Sequence, residues 1–285
     1  MNIADTLHEM PVSELDLSRH VTVEIGTPVR DTIGQMNEAG WSSAFAVDSG
    51  ALVGIFTQRD VVTRVLGVDG MCDQPIDDVM TPEPRTVTST ASVNDAMVVM
   101  TEAWTRSVPV VDEGEIVGNF SFYTAMKLIA DLLSKKASRT ESDLSAQHGL
   151  MFVDFTGLQL TPAVTVGLDE TVATVVHHMK ARAIGSVLVV NARESLAGVL
   201  TEFDLQTKVA CTGANLDETT VESVMTAEPV SLTVRSPIAD AVVRMAQHEM
   251  SHVALVAETG SPLGIATFRD VADYFETSLQ ALSQS

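Results

Sequence analysis

The chain has 285 residues, 45% of them apolar, which is enough for two domains of ordinary size, each with a core of its own. Its 38 acidic residues outnumber 17 basic ones, for a formal charge of −21, and a surface that negative repels nucleic acid and anionic membranes. Only five of the 17 basic residues are lysine, an acid-rich and lysine-poor balance like that of salt-loving organisms.

Met1-Asn2-Ile3-Ala4-Asp5 has neither the basic stretch nor the apolar run of a signal peptide, and no apolar run approaches the ~18 residues of a membrane helix. A cytoplasmic location is therefore expected. Cys72 and Cys211 lie far apart in the sequence without C-x-x-C spacing, so neither a disulfide framework nor a zinc site is expected.

In chain order, a short strand at Val21–Ile25 comes first. An amphipathic helix follows, with Val29, Ile33 and Met36 at i, i+4 and i+7 and with Thr27-Pro28 as its opening cap and first-turn proline. Next come an apolar strand at Ala44–Val47, a turn at Gly50, and the phrase Gly54-Ile55-Phe56-Thr57-Gln58-Arg59-Asp60, which runs into a second helix over Asp60–Leu66. The same series returns with a strand at Thr86–Thr88, a helix through Val93, Met97 and Met100, a strand at Val108–Val111, Gly114 and the phrase Gly118–Thr124. A third series has Val164–Val166, Val172, Val176 and Met179, Val187–Val190, Arg193-Glu194 and Gly198–Asp204. The fourth has Val230–Thr233, Ser236-Pro237 opening a helix through Ile238, Val242 and Met245, then Val253–Val256, Gly260, Gly264–Asp270 and a helix over Asp270–Phe275. The methionine column at this spacing reads as core filling rather than as a soft-metal stripe.

The expected fold is thus α/β (α+β), four β-α-β-β-α repeats at about 15–68, 76–134, 159–211 and 220–279. A unit this small has too little core of its own and should pair with a neighbour. Val29 precedes Val93 by 64 residues and Val172 precedes Ile238 by 66, whereas Val93 to Val172 takes 79. The extra length falls in Ser134–Gln147, polar and linker-like. The expected domains are therefore 1–136 and 159–285, joined by 137–158.

The four glycine phrases, with the lead-ins Met80-Thr81-Pro82 and Met225-Thr226 and a weaker Leu160-Thr161-Pro162, resemble the cystathionine β-synthase (CBS) domain family over nearly the whole chain. The resemblance implies two Bateman modules packed as a disc, a layout similar to the regulatory gamma subunit of the AMP-activated kinase. No stretch outside the units is long enough for a catalytic domain. In the family, the Thr and Asp of the phrase contact phosphate and ribose while the base lies against the early strands. That role falls here on Thr57 and Asp60, Thr201 and Asp204, and Thr267 and Asp270. A helix start, with its unpaired N–H groups and dipole, suits a phosphate. Thr-x-x-Asp at a helix start is also close to a capping box that needs no ligand. In the second phrase Thr124 replaces the aspartate, and an empty or weak site is expected there.

Arg59 and Arg269, one residue before the aspartate, are placed either to reach a phosphate or to stand solvated on a helix. Arg106, before the strand Val108–Val111, is placed to close on a ligand in the cleft with the first unit, and His252, one repeat position further on in the fourth unit, is a further candidate. Phe203 at the arginine position of the third phrase points to a less charged, adenosyl ligand. His248-Glu249-Met250-Ser251-His252 matches H-E-x-x-H, but the repeat alignment ends the helix soon after Met245 and sets His252 where Ser43, Ser107 and Ser186 lie, so no metal site is expected. His177-His178 lie on different sides of a helix, and no Walker phrase or nucleophilic triad is present.

The expected role is a non-enzymatic sensor with no required cofactor, binding AMP, ADP, ATP or S-adenosylmethionine between paired units for a regulated partner protein. The alternative is a ligand-free oligomerisation or docking scaffold. Whether discs stack into a homodimer stays open, and a DNA-linked regulator is disfavoured by the charge.

Overall fold

A computed structural model describes residues 3–137, 153–157, 162–272 and 274, and shows four copies of one small mixed unit. Much of the expected linker, the Leu160-Thr161 lead-in and part of the helix expected over Asp270–Phe275 lie outside the described residues.

In the first unit β1 (Val21–Glu24) lies parallel to β2 (Ser43–Asp48), which pairs antiparallel with β3 (Ala51–Thr57). The helix Val29–Ala39 crosses between β1 and β2, burying Val29, Ile33 and Met36 on one face as the 3.6-residue period requires. Its C-cap is Gly40 in the left-handed region. The same hairpin recurs as β5 (Ser107–Asp112) with β6 (Glu115–Ser121), β8 (Ser186–Val190) with β9 (Leu196–Thr201), and β12 (His252–Val256) with β13 (Pro262–Thr267). β7 (Thr165–Gly167) and β11 (Ser231–Thr233) lie parallel to β8 and β12 as β1 does to β2. All four hairpins shift register at the same place, after Ala46, Val110, Val189 and Leu255. The strand expected at Thr86–Thr88 shrinks to a single bridge, Val87 to Val110. The second helix of the first unit is α-helical only over Gln58–Asp60 and continues as a wider π turn over Val61–Val65.

The lead-ins pair with the unit before them. Thr81–Pro82 (β4) adds an antiparallel edge to β3, and Thr226–Ala227 (β10) does the same to β9. The second unit takes its edge from the N-terminal segment instead, where the Asn119 amide donates to the Leu17 carbonyl. At these crossings the phrase glycines are needed for space. A Cβ on Gly54 or Gly198 would stand 2.3 Å from the sulfur of Met80 or Met225, and one on Gly118 would meet the Leu17 carbonyl at 2.6 Å.

Apolar packing cuts across the sequence-adjacent pairs. One core gathers Val29, Ile33, Met36 and Val61 of the first unit with Val172, Val176, Met179 and Leu205 of the third. The other gathers Val93, Met97, Met100 and Ile129 of the second unit with Ile238, Val242, Met245 and Val271 of the fourth, and takes in Leu7 and Val12. Neighbours in sequence meet through their sheets: Ser43 and Ser107 share a buried hydroxyl contact of 3.2 Å, and Leu188 packs with Ala254 and Ile265.

One sequence expectation is overturned. Cys72 and Cys211 form a disulfide, with Cα atoms 5.6 Å apart across a sequence separation of 139 residues. Separation along the chain misled because the first and third units share a core. That core carries the turn Met71–Asp73 against the residues that follow the helix Glu202–Lys208.

Candidate functional site

Each phrase ends a strand and opens a helix, and in the first, third and fourth its hydroxyl and carboxylate first satisfy each other. The Thr57 amide and hydroxyl both donate to Asp60 Oδ2 at 2.8 Å. Thr201 donates to Asp204 in the same way at 2.9 and 2.6 Å, and Thr267 to Asp270 at 2.6 Å for both groups. These are capping boxes, so the local geometry follows from orphan amides at a helix start. The second carboxylate oxygen takes donors other than the phrase hydroxyl. Asp60 Oδ1 receives Arg64 at 3.2 Å and the lead-in hydroxyl of Thr81 at 3.5 Å, and Asp204 Oδ1 receives Lys208 and Thr226 at 2.8 Å each. Burial raises the Asp60 carboxyl above its ordinary value, opposed by Thr57 and Arg64. In the second phrase Ser121 and Thr124 share a hydroxyl contact of 3.0 Å, and Thr124 Oγ1 donates to the Asp16 carbonyl.

Between the units lies a cavity of about 830 Å³ to which all four contribute. Thr57, Arg59 and Asp60 enter from the first unit, Arg106 from the second, and His252, Thr267 and Arg269 from the fourth. Seven of the ten site residues expected from the sequence therefore meet in one place, while Thr201, Asp204 and Asp270 do not line it. Arg64, Arg85 and Arg182 also line this cavity, so six arginines face it, against the carboxylates of Asp60 and Glu83. A chain of charge −21 thus concentrates cations at one point.

His252 opens β12 opposite Thr267, in the register that sets Ser43 opposite Thr57, Ser107 opposite Ser121 and Ser186 opposite Thr201. The preceding helix stops at His248 and Glu249 turns left-handed, so His248 and His252 sit on different elements and the H-E-x-x-H geometry is not built. Burial, with Arg106 and Arg59 beside it, pushes the His252 imidazole down to about 3. Its Nδ1 lies 2.8 Å from Ser251 Oγ, which also accepts from Arg106 at 3.0 Å.

Three features were not singled out from the sequence. Glu202, almost fully buried, receives Arg59 Nε at 3.1 Å and Arg106 Nη2. Trp104 lies 69% exposed at the rim with the Arg269 guanidinium 3.6 Å from its ring centre, a cation–π stack. It occupies the left-handed helix-ending position held elsewhere by Gly40, Ala183 and Glu249. The third is the trio Arg64, Arg85 and Arg182, which become neighbours of the site only once the units assemble. For Glu202 a signal was present: a charge at a phrase position where the other copies carry Gln58, Phe122 and Phe268.

Comparison with known proteins agrees with the repeat. The family model for the CBS domain matches residues 12–67, 76–131, 158–210 and 221–277. The CBS domain-containing protein CBSCBSPB3 of Arabidopsis thaliana is 26% identical over 279 residues, 89% of this chain and 50% of that protein. The chain spans about half the length of the curated relatives of this group that it matches. Among solved structures, protein MJ1225 of Methanocaldococcus jannaschii, described as a proposed archaeal homolog of γ-AMPK, superposes with a TM-score of 0.74 at 17% identity, covering 93% of this chain and all of that one. A conserved protein from Pyrococcus horikoshii superposes with a TM-score of 0.54, also at 17% identity, over 96% of this chain and 99% of its own. Among the described residues, no helix is long and apolar enough to cross a membrane.

Proposed function

The chain belongs to the CBS-domain family, and on that footing we propose that it is a regulatory protein whose central cavity binds a phosphorylated adenine compound such as AMP, ADP or ATP. One observation carries the reading: six of the chain's twelve arginines line one cavity, beside two helix starts, in a protein of charge −21. Guanidinium groups favour planar, bidentate contact with phosphate oxygens, and helix-start amides add a weaker pull. The cavity has room for a nucleotide, and its arginines converge on it from all four units together with threonine and serine hydroxyls. Thr57 and Thr267 line the cavity with these arginines, and Asp60 on the same wall is the acceptor offered to the sugar. Because all four units supply lining residues, a ligand there changes the free energy of their arrangement, which a partner protein reads.

Calorimetric titration with AMP, ATP and S-adenosylmethionine tests this. Binding of a phosphate-bearing nucleotide, weakened at least tenfold in Arg269→Gln and reduced by added salt, is the expected result. Heats indistinguishable from dilution for all three compounds contradict it.

A second reading, a ligand-free docking scaffold, draws on the capping boxes, whose carboxylates already hold protein donors without a ligand. Under it the melting temperature is the same with and without nucleotide, whereas a ligand selective for the folded protein raises it.

A further inference from the structure

The repeat carries its own controls at one position. The residue after the phrase hydroxyl is Gln58, Phe122, Glu202 and Phe268 in the four units, and all four are buried. Three units satisfy the fold there with an uncharged side chain, so the charge of Glu202 needs another reason. Burying a carboxylate costs several kcal/mol unless it is paired. Here the pairing comes from outside its own unit: Arg59 of the first and Arg106 of the second. The third unit makes room for it as well. The Glu202 amide donates to the Gly185 carbonyl at 3.0 Å, and a Cβ at Gly185 would stand only 3.1 Å from the Glu202 carboxylate.

The arrangement has an inside and an outside. Arg59 and Arg106 line the cavity with side chains 37% and 26% exposed, whereas Glu202, at 2%, stands behind them and does not line it. Each arginine has a second anchor, the Ala183 carbonyl for Arg59 at 3.2 Å and Ser251 Oγ for Arg106 at 3.0 Å. Glu202 is therefore not the only group that holds either guanidinium in place. What it does contribute is negative charge against the two cations that a ligand must engage.

We propose that Glu202 is a specificity-determining residue of the cavity, an internal anion that competes for Arg59 and Arg106 so that a dianionic phosphoryl group engages them and a monovalent anion does not. The proposal rests on the phosphate-binding reading above. With Glu202 in place the three groups carry one net positive charge, enough to favour a dianion held by both guanidinium forks but of little value to chloride. In a concentrated salt solution this keeps chloride from occupying the phosphate position.

Glu202→Gln tests it, since Gln58 occupies the same position in the first unit and shows that the fold accepts the amide. Inorganic phosphate and AMP are titrated into wild type and variant at low and high potassium chloride. Loss of one nearby negative charge should tighten phosphate and AMP by about tenfold at low salt and make binding more sensitive to chloride than in wild type. Binding by the variant alone overturns the proposal, because the wild-type cavity must itself take the dianion. Equal or weaker binding by the variant, with wild-type binding intact, overturns it and leaves the phosphate reading standing. No binding by either protein overturns both. If Glu202→Gln melts below the working temperature, Glu202→Asp, which withdraws the charge by one methylene, is compared instead and should tighten phosphate by a smaller factor. Unchanged binding in that variant likewise overturns the proposal.

Discussion

Opening the Cys72–Cys211 disulfide is expected to loosen the union of the first and third units. The bond closes a loop across a separation of 139 residues. In the chain-entropy treatment a loop that size restricts the unfolded chain by about 5 kcal/mol, and measured effects commonly reach half of that. Both cysteines already pack against the shared core, so cutting the bond leaves the folded contacts largely in place and acts mainly on the unfolded state. For a chain of this size, 2.5–5 kcal/mol corresponds to a fall in melting temperature of roughly 4–8 °C. The assay is calorimetric melting of wild type with and without reductant, beside Cys72→Ser and Cys211→Ser. Both variants should melt where reduced wild type melts, and reductant should leave them unchanged. Coincident melting of oxidised wild type and Cys72→Ser refutes the reasoning, as does a thiol count of two in the untreated protein.

Replacing Gly118 by Ala places a methyl against the Leu17 carbonyl and should destabilise by about 2–3 kcal/mol, more than Gly54→Ala, whose clash is with the flexible Met80 side chain; urea unfolding of both variants compares them. The His252 imidazole has its pKa pushed down to about 3, so between that value and about 6.5 the unfolded chain binds a proton the folded protein refuses. Stability therefore rises with pH across that window, by up to about 1.4 kcal/mol per pH unit. His252→Ser, the residue the other three units carry there, should flatten that part of the stability–pH curve measured by urea titration. Asp204→Ala removes four accepting contacts and leaves Lys208 without its carboxylate, a loss of about 2–3 kcal/mol in thermal melting even with no nucleotide added.

The fold was legible because each unit repeats one set of local rules. Val29, Val93, Val172 and Ile238 open the four helices, as the i, i+4, i+7 pattern requires, and the phrase glycines sit where strands cross closely. Strand ends moved by a residue or two, and Thr86–Thr88 keeps only the bridge from Val87 to Val110. What the sequence hid was long-range. Nothing local says that the first unit shares its core with the third, and the disulfide was missed for that reason. The cavity lining was partly legible: Thr57, Arg59 and Arg269 stand in the repeat phrase and Arg106 and His252 lead into repeat strands, and all five line the cavity, whereas Arg85 and Arg182 belong to no motif and come close only on assembly. Glu202 was in plain view within its phrase, but a glutamate at the first position of a helix reads as ordinary helix-start chemistry until two arginines from other units are seen on it.

The most direct measurement of the central claim is a crystal structure of the protein grown with AMP. The account predicts a phosphate within hydrogen-bonding distance of Arg59, Arg106 or Arg269, beside Thr57 or Thr267. Ordered water alone in that cavity, at AMP concentrations well above those used in calorimetry, contradicts it.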